Sequence, residues 1–257
     1  MTLVEDRSRL ALPDVTLCAA SSVNVAATVQ AMERCIAQID FGDCILFTDS
    51  DLAADHPAIN VVRVPRITSS DCYSEFILHR VVDHVDTSHC LVVQWDGHVL
   101  DASRWRSEFL DYDYIGARWP QFADGHDVGN GGFSLRSLRL MQACQDPEFR
   151  SHHPEDVAIG RTNRDWLEQR GMRFAPAALA DLFAVERAGD IEQSFGYHGI
   201  WHMPHAVGVR IFWDIYQHLD DRGKIRHDFA NILKQLWEGN GGLRRALRLI
   251  LDKIRDR

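Results

Sequence analysis

Lysine is nearly absent from this chain: its 257 residues contain three, Lys224, Lys234 and Lys253, all near the C-terminal end. A phosphate-loop lysine or a Schiff-base lysine is therefore excluded from the main body. No Gly-x-Gly-x-x-Gly follows the first apolar run, so the usual dinucleotide fingerprint is missing. Neither Gly-x-Ser-x-Gly nor His-Glu-x-x-His occurs, which removes the support for a serine hydrolase or a zinc protease. The six cysteines form no Cys-x-x-Cys pair, and most sit within apolar runs, where they read as reduced core residues. Val4 to Leu12 mixes charges where a signal peptide needs an apolar stretch, and no run approaches the length of a membrane span. A cytoplasmic location is the resulting expectation.

Basic charge is also scarce: Lys+Arg total 28 against 37 Asp+Glu, a net charge of −9, which argues against a nucleic-acid partner. The balance is uneven. Residues 206–257 hold 11 Lys+Arg against 7 Asp+Glu, or +4, leaving 17 against 30, or −13, for residues 1–205.

What is present is an alternation of apolar runs with helical patterns. Val15 to Ala20 reads as a strand, Val25 to Ile39 as a helix, Cys44 to Phe47 and Ile59 to Val64 as strands, Ser74 to Val85 as a helix, and Cys90 to Val93 as a further strand. This order predicts a three-layer α/β sandwich with a mostly parallel central sheet. Ser103 to Leu110, Leu138 to Cys144 and Asp165 to Gly171 read as further helices, and Met172 to Ala175 as a short strand. The patterns at 207–219, 226–237 and 243–254 predict a C-terminal helical segment, giving domains 1–205 and 206–257. In the last helix Leu243, Leu247, Ile250 and Ile254 fall on one stripe, read first as a face packed on the body. A peripheral membrane or oligomer contact is the second reading.

Leu91 to Leu100, LVVQWDGHVL, organises the rest. Its apolar run breaks at Gln94, Asp96 and His98, so a buried strand ends in a polar tip. In open α/β sheets ligands sit at the carboxyl ends of strands, which makes Asp96 beside Gly97 a ligand or metal candidate. An ordinary Asp-Gly turn reads the same residues equally well. Gly129-Asn130-Gly131-Gly132 before an apolar-polar alternation signals a close backbone approach, or else a hairpin turn. A second Gly-Asn-Gly-Gly at 239–242 reads as a cap and linker. Glu155 and Asp156 follow Pro154, where acids favour a helix start on dipole grounds alone.

Five blocks in order, Gln94 to Gly97, Tyr112 to Trp119, Gly129 to Ser137, Glu155-Asp156 and Gly196 to Gly199, resemble a glycosyltransferase of the GT-A, Rossmann-like fold. Within that fold they most resemble an uncharacterised glycosyltransferase-like family, over about residues 14–204. The resemblance implies transfer of a sugar from a nucleoside diphosphate sugar, a UDP-sugar foremost, to an acceptor hydroxyl, with inversion. It implies Asp96 and His198 as ligands of Mn2+ or Mg2+, Asp156 as general base, and Glu155 as an acceptor contact. Gln94 stands where that fold carries its first acid. As a substrate-binding residue its amide can accept from a ribose hydroxyl or orient a water, but it brings no charge, so the metal is in question. His98 is a second ligand or, as favoured, a solvent-facing strand residue. Ala19, Ser21, Thr48 and Asp49 are expected to hold the base and ribose, with Asn130, Gly131 and Gly132 lining the sugar and Trp119 and Trp201 stacking on it. A catalytically silent sugar or nucleotide binder and a sugar nucleotidyltransferase are the alternatives.

Overall fold

A computed structural model describes residues 9–51, 56–226, 228–237 and 241–255. Of the second Gly-Asn-Gly-Gly run, residues 239 and 240 lie outside these. Two compact units make up the chain, residues 1–198 and 199–257.

The first unit opens with β1 (Leu10–Ala20), α1 (Val25–Ile36), β2 (Ile39–Thr48), β3 (Asn60–Arg63), α2 (Ser70–His79), β4 (His89–Val93) and β5 (Gly97–Val99). It continues with β6 (Tyr114–Ile115), β7 (Phe133–Ser137), α3 (Leu138–Ala143), α4 (Glu155–Val157), α5 (Arg164–Gln169), α6 (Ala177–Phe183), β8 (Ala184–Val185) and β9 (Gly196–His198). The central sheet runs β3-β2-β1-β4-β7-β6. Its first four strands are parallel, and β7 and β6 are antiparallel to their neighbours.

The strand alternation separates two apolar faces. Leu17, Ala19, Leu46, Leu91 and Val93 pack with Val25, Val29, Met32 and Ile36 of α1 and with Leu179 and Phe183 of α6. Cys18, Ala20, Ile45, Phe47, Cys90 and Val92 pack with Ile77 of α2 and Met141 of α3. Helices thus cover both faces, the expected three-layer sandwich, and each buried aliphatic or aromatic side chain contributes about 1.5–3 kcal/mol. All six cysteines are free; five are buried, as expected of those in apolar runs, and Cys72 is exposed.

β1 begins at Leu10, five residues before the Val15 to Ala20 run expected to form it. The β1–β2 register shifts between Leu12 and Thr16, so Pro13 sits at an irregularity where a missing N–H costs no ladder bond. The helix expected over Ser103–Leu110 is instead two 3-10 turns, Ala102–Arg104 and Ser107–Asp111. Tertiary contacts override its pattern: Arg104 donates to the carbonyls of Ile191 and Ser194, and Trp105 and Phe109 join rings with Phe195 and Phe183. Met172–Ala175 is reduced to a bridge between Phe174 and Tyr114.

The second unit contains α7 (Met203–Ala206), α8 (Val209–Gln217), α9 (Phe229–Trp237) and α10 (Gly242–Arg255). Among the described residues no helix is long and apolar enough to cross a membrane.

Candidate active site

From β1 the sheet grows outward through β2 and β3, then returns to place β4 on the other side of β1. The carboxyl ends of β1 and β4 therefore flank a topological switch point, the crevice where open α/β sheets hold ligands. Cys18 aligns with Val92, so continuing the register brings Ala20 and Ser21 level with Gln94 and Trp95.

Asp96 follows β4 and is 2% exposed. Local sequence does not explain its partner; a second, smaller sheet does. β5, β9 and β8 form that sheet, and Gly97 pairs with His198. This register brings His198 Nε2 to 3.5 Å from Asp96 Oδ1. β8 runs parallel to β9 with Val185 opposite Tyr197, so Glu186, the next residue, faces His198, and its Oε1 lies 3.3 Å from Nδ1. Burial alone would strip the proton from this imidazole; Asp96 and then Glu186 outweigh it and hold the pKa up at about 9.

The donor set fits a divalent cation. Two ligands about 2.1 Å from one ion and about 90° apart lie about 3 Å from each other, close to the observed spacing. Glu186 on the far ring nitrogen orients the imidazole as carboxylates do behind metal-bound histidines. Among the described residues the three-member gathering of candidate ligands is elsewhere, at half-buried His126 with exposed Asp165 and Glu168. Exposed acids gather in this way without an ion, so it is given no role.

The glycine loop explains its own composition. A Cβ on Gly132 would lie 2.1 Å from His198 Nε2, and one on Gly131 would lie 1.8 Å from Glu155 Oε1. Asn130 between them takes a left-handed φ of 69°; its Oδ1 accepts from the Gly132 N–H at 2.9 Å. Its buried Nδ2 has no protein partner among the described residues, which leaves one donor for a ligand. A hairpin turn alone would require neither close contact.

Glu155 and Asp156 diverge in role. Glu155 Oε1 takes a hydrogen bond of 3.2 Å from buried Arg136, and Oε2 accepts from Ser74 at 3.3 Å. Asp156 is half-buried, and its carboxylate accepts from the N–H of Gly131 at 3.3 Å and of Val157 at 2.8 Å. Burial first, and the charge of Glu155 second, push its carboxyl up to about 6. The helical run continues past α4 through a π turn at Ala158–Thr162 towards α5, so a helix-start role for these acids stands; that role favours the ionised form and does not account for the raised pKa of Asp156. What remains is a carboxyl that changes protonation near neutrality, as a general base requires.

The other expected residues are placed as follows. Gln94 donates to the Tyr73 hydroxyl at 2.9 Å. Ala19 faces the core, and the buried Thr48 hydroxyl accepts from the Ser50 N–H, leaving Ser21 and Asp49 half-exposed at the strand ends. Two expectations need correcting. Trp119, expected against a sugar, is 7% exposed, its indole pressed on Gly129 and Gly160 and edge-on to Phe122, which leaves no face to stack. His98 is buried rather than solvent-facing; it pairs with Tyr197, on the face of the small sheet opposite Gly97 and His198, and burial drives its pKa to about 4. Trp201 belongs to the second unit, where its carbonyl accepts from Gln235 Nε2 at 2.8 Å.

Sequence reasoning assigned no role to Arg136, Glu186 or Tyr73. Glu186 carried a usable signal: like Asp96, it is an acid at the end of an apolar strand.

The model of the family described as Protein of unknown function (DUF5672) matches residues 58–198. That span contains Asp96, Asn130 to Gly132, Glu155, Asp156, Glu186 and His198. No curated protein matches the sequence. Solved structures similar to the chain include an active-site mutant of LgtC, 14% identical with a TM-score of 0.44, covering 82% of this chain and 99% of that one. TarS of S. aureus is 8% identical at 0.40, covering 88% of this chain and 44% of that one. The glycosyltransferase GlyE in Streptococcus pneumoniae TIGR4 is 10% identical at 0.38, covering 62% and 44%. The chain thus spans less than half the length of the last two. At these scores the likeness is coarse and nothing is drawn from it.

Proposed function

The chain belongs to the DUF5672 family, whose description assigns no activity, and from the chemistry of its site we propose that it is a glycosyltransferase acting on a nucleoside diphosphate sugar. The observation that carries the reading is the meeting of Asp96 and His198 beyond the carboxyl end of β4, with Asp156 joined to the same glycine loop. The two ends of that loop suit the two halves of a transfer reaction.

On the acceptor side, Asp156 takes the proton of the acceptor hydroxyl as its oxygen bonds to the anomeric carbon. The bond from that carbon to the diphosphate breaks, and the electron pair leaves with the phosphate oxygen. Attack opposite the leaving group inverts the anomeric configuration. General-base assistance of this kind contributes about 10²–10⁴-fold. Asn130 Nδ2 and the half-exposed Ser21 and Asp49 are the groups assigned to donor binding.

On the leaving-group side, Asp96 and His198 would hold Mn2+ or Mg2+, which supplies positive charge to the departing diphosphate. Glu186 fixes the imidazole plane. Gln94, an amide where an acid would strengthen a metal site, favours a second reading: a protein that binds nucleotide sugars without turning them over.

Calorimetry with UDP, GDP and other nucleoside diphosphates, with and without Mn2+, tests the assignment. Binding that requires the ion and disappears in Asp96→Asn is the expected result. No binding to any nucleotide refutes the transferase, and binding without turnover across a panel of donors and acceptors supports the silent reading.

A further inference from the structure

Apolar exposure is concentrated at one place. Among the described residues eight large hydrophobic side chains are exposed, and five of them, Leu243, Leu247, Ile250, Leu251 and Ile254, lie on α10, between 37% and 61% exposed. A sixth, Trp237, is 60% exposed at the end of α9. The stripe expected to pack on the body is therefore the outer face of its helix; the inner face consists of Ala246, Leu249 and Asp252. Side chains at i, i+4, i+7, i+8 and i+11 form one continuous apolar strip along 14 residues.

Arg244 and Arg248, both exposed, border the strip, each one residue beyond a strip leucine and so about 100° around the helix. Residues 242–255 carry five Lys+Arg against one acid, a net +4, while residues 1–205 carry −13. An aliphatic strip, an arginine border and a neighbouring tryptophan are the parts of a helix that lies in a membrane interface. We infer that α10 docks the protein on an anionic bilayer surface, its leucines and isoleucines among the acyl chains and its arginines at the phosphates. A second copy fits less well, since pairing two such faces sets +4 against +4. The inference is independent of the proposed activity.

Flotation of the full chain with phosphatidylcholine vesicles, with and without phosphatidylglycerol, tests it. The protein is expected to float with the anionic vesicles alone, to be released by high salt, and to lose at least about tenfold in binding in L247E/I254E. Both positions are exposed, so an unchanged melting temperature certifies that the variant is folded. Arg244→Glu is expected to weaken anionic binding and leave folding intact. Absence of flotation in low salt, or undiminished flotation of the double variant, overturns the proposal. So does a dimer by light scattering that the double variant dissociates while vesicles are ignored.

Discussion

Asp156→Asn separates catalysis from stability in one substitution. Burial and the neighbouring Glu155 raise this carboxyl from 3.8 to about 6, against backbone N–H groups that favour the ion. The folded state therefore binds the proton more tightly than the unfolded chain. Between about pH 4 and about pH 6 the carboxyl costs progressively more stability as pH rises, and above about 6 the cost is complete. A gap of about two units, at about 1.4 kcal/mol per unit, sets an upper bound near ~3 kcal/mol, and the partial exposure of Asp156 reduces it to about 1–2 kcal/mol. Asparagine cannot ionise, and its single oxygen can accept from either the Val157 or the Gly131 N–H but not both, a loss that does not vary with pH. At about 2–4 °C per kcal/mol for a chain of this size, the melting temperature of the variant relative to wild type is expected to rise by several degrees between pH 4 and pH 8. Its turnover is expected to fall by about 10²–10⁴, while the wild-type rate climbs through an acid limb near pH 6. A melting-temperature difference that stays the same between pH 4 and pH 8, or turnover within about tenfold of wild type, would refute the assignment.

Arg136→Met leaves Glu155 charged and buried without its guanidinium, a loss of about 3–5 kcal/mol by thermal denaturation. Adding Glu155→Gln is expected to recover part of it, and a double variant no more stable than the single one contradicts an electrostatic role. Gly132→Ala drives a methyl group against His198, so affinity for Mn2+ or a nucleoside diphosphate is expected to drop at least about tenfold by calorimetry; unchanged affinity removes His198 from the site. Trp119→Ala is expected to cost about 3–5 kcal/mol of stability and little in KM for the donor, the reverse of what a stacking residue would show.

The parallel strands and their order of helices were legible because a strand buried on both faces is an unbroken apolar run, and Leu91–Val93 announces where that run stops. Asp96 was readable for the same reason. His198 was not readable from its own surroundings: its place depends on a three-residue strand pairing with Gly97, about a hundred positions earlier, and only resemblance to a family pointed to it. Arg136 passed as the polar member of an alternation. That inference fails because β7 is buried along its whole length, on both faces of the sheet, so Arg136 must find Glu155. α10 shows the complementary limit: a leucine strip and an Ala246-Leu249 strip both have helical spacing, and periodicity cannot say which one faces in.

The pivot of the site is the loop rather than either acid. Gly131 donates to Asp156 and lies against Glu155, while Gly132 lies against His198, which in turn meets Asp96. Two adjacent residues thus touch the proposed acceptor side and the proposed leaving-group side at once, and Asn130 locks them with its bond to the Gly132 N–H. A side chain at either glycine would have to displace a carboxylate or an imidazole by more than an ångström, and small misplacements of that size in a catalytic constellation cost about 10²-fold in rate. The spacing of Asp156 from Asp96 and His198 is therefore set by a backbone that no side chain separates from its partners. The same argument gives the glycine run between β6 and β7 its composition: its neighbours here are the groups proposed to react.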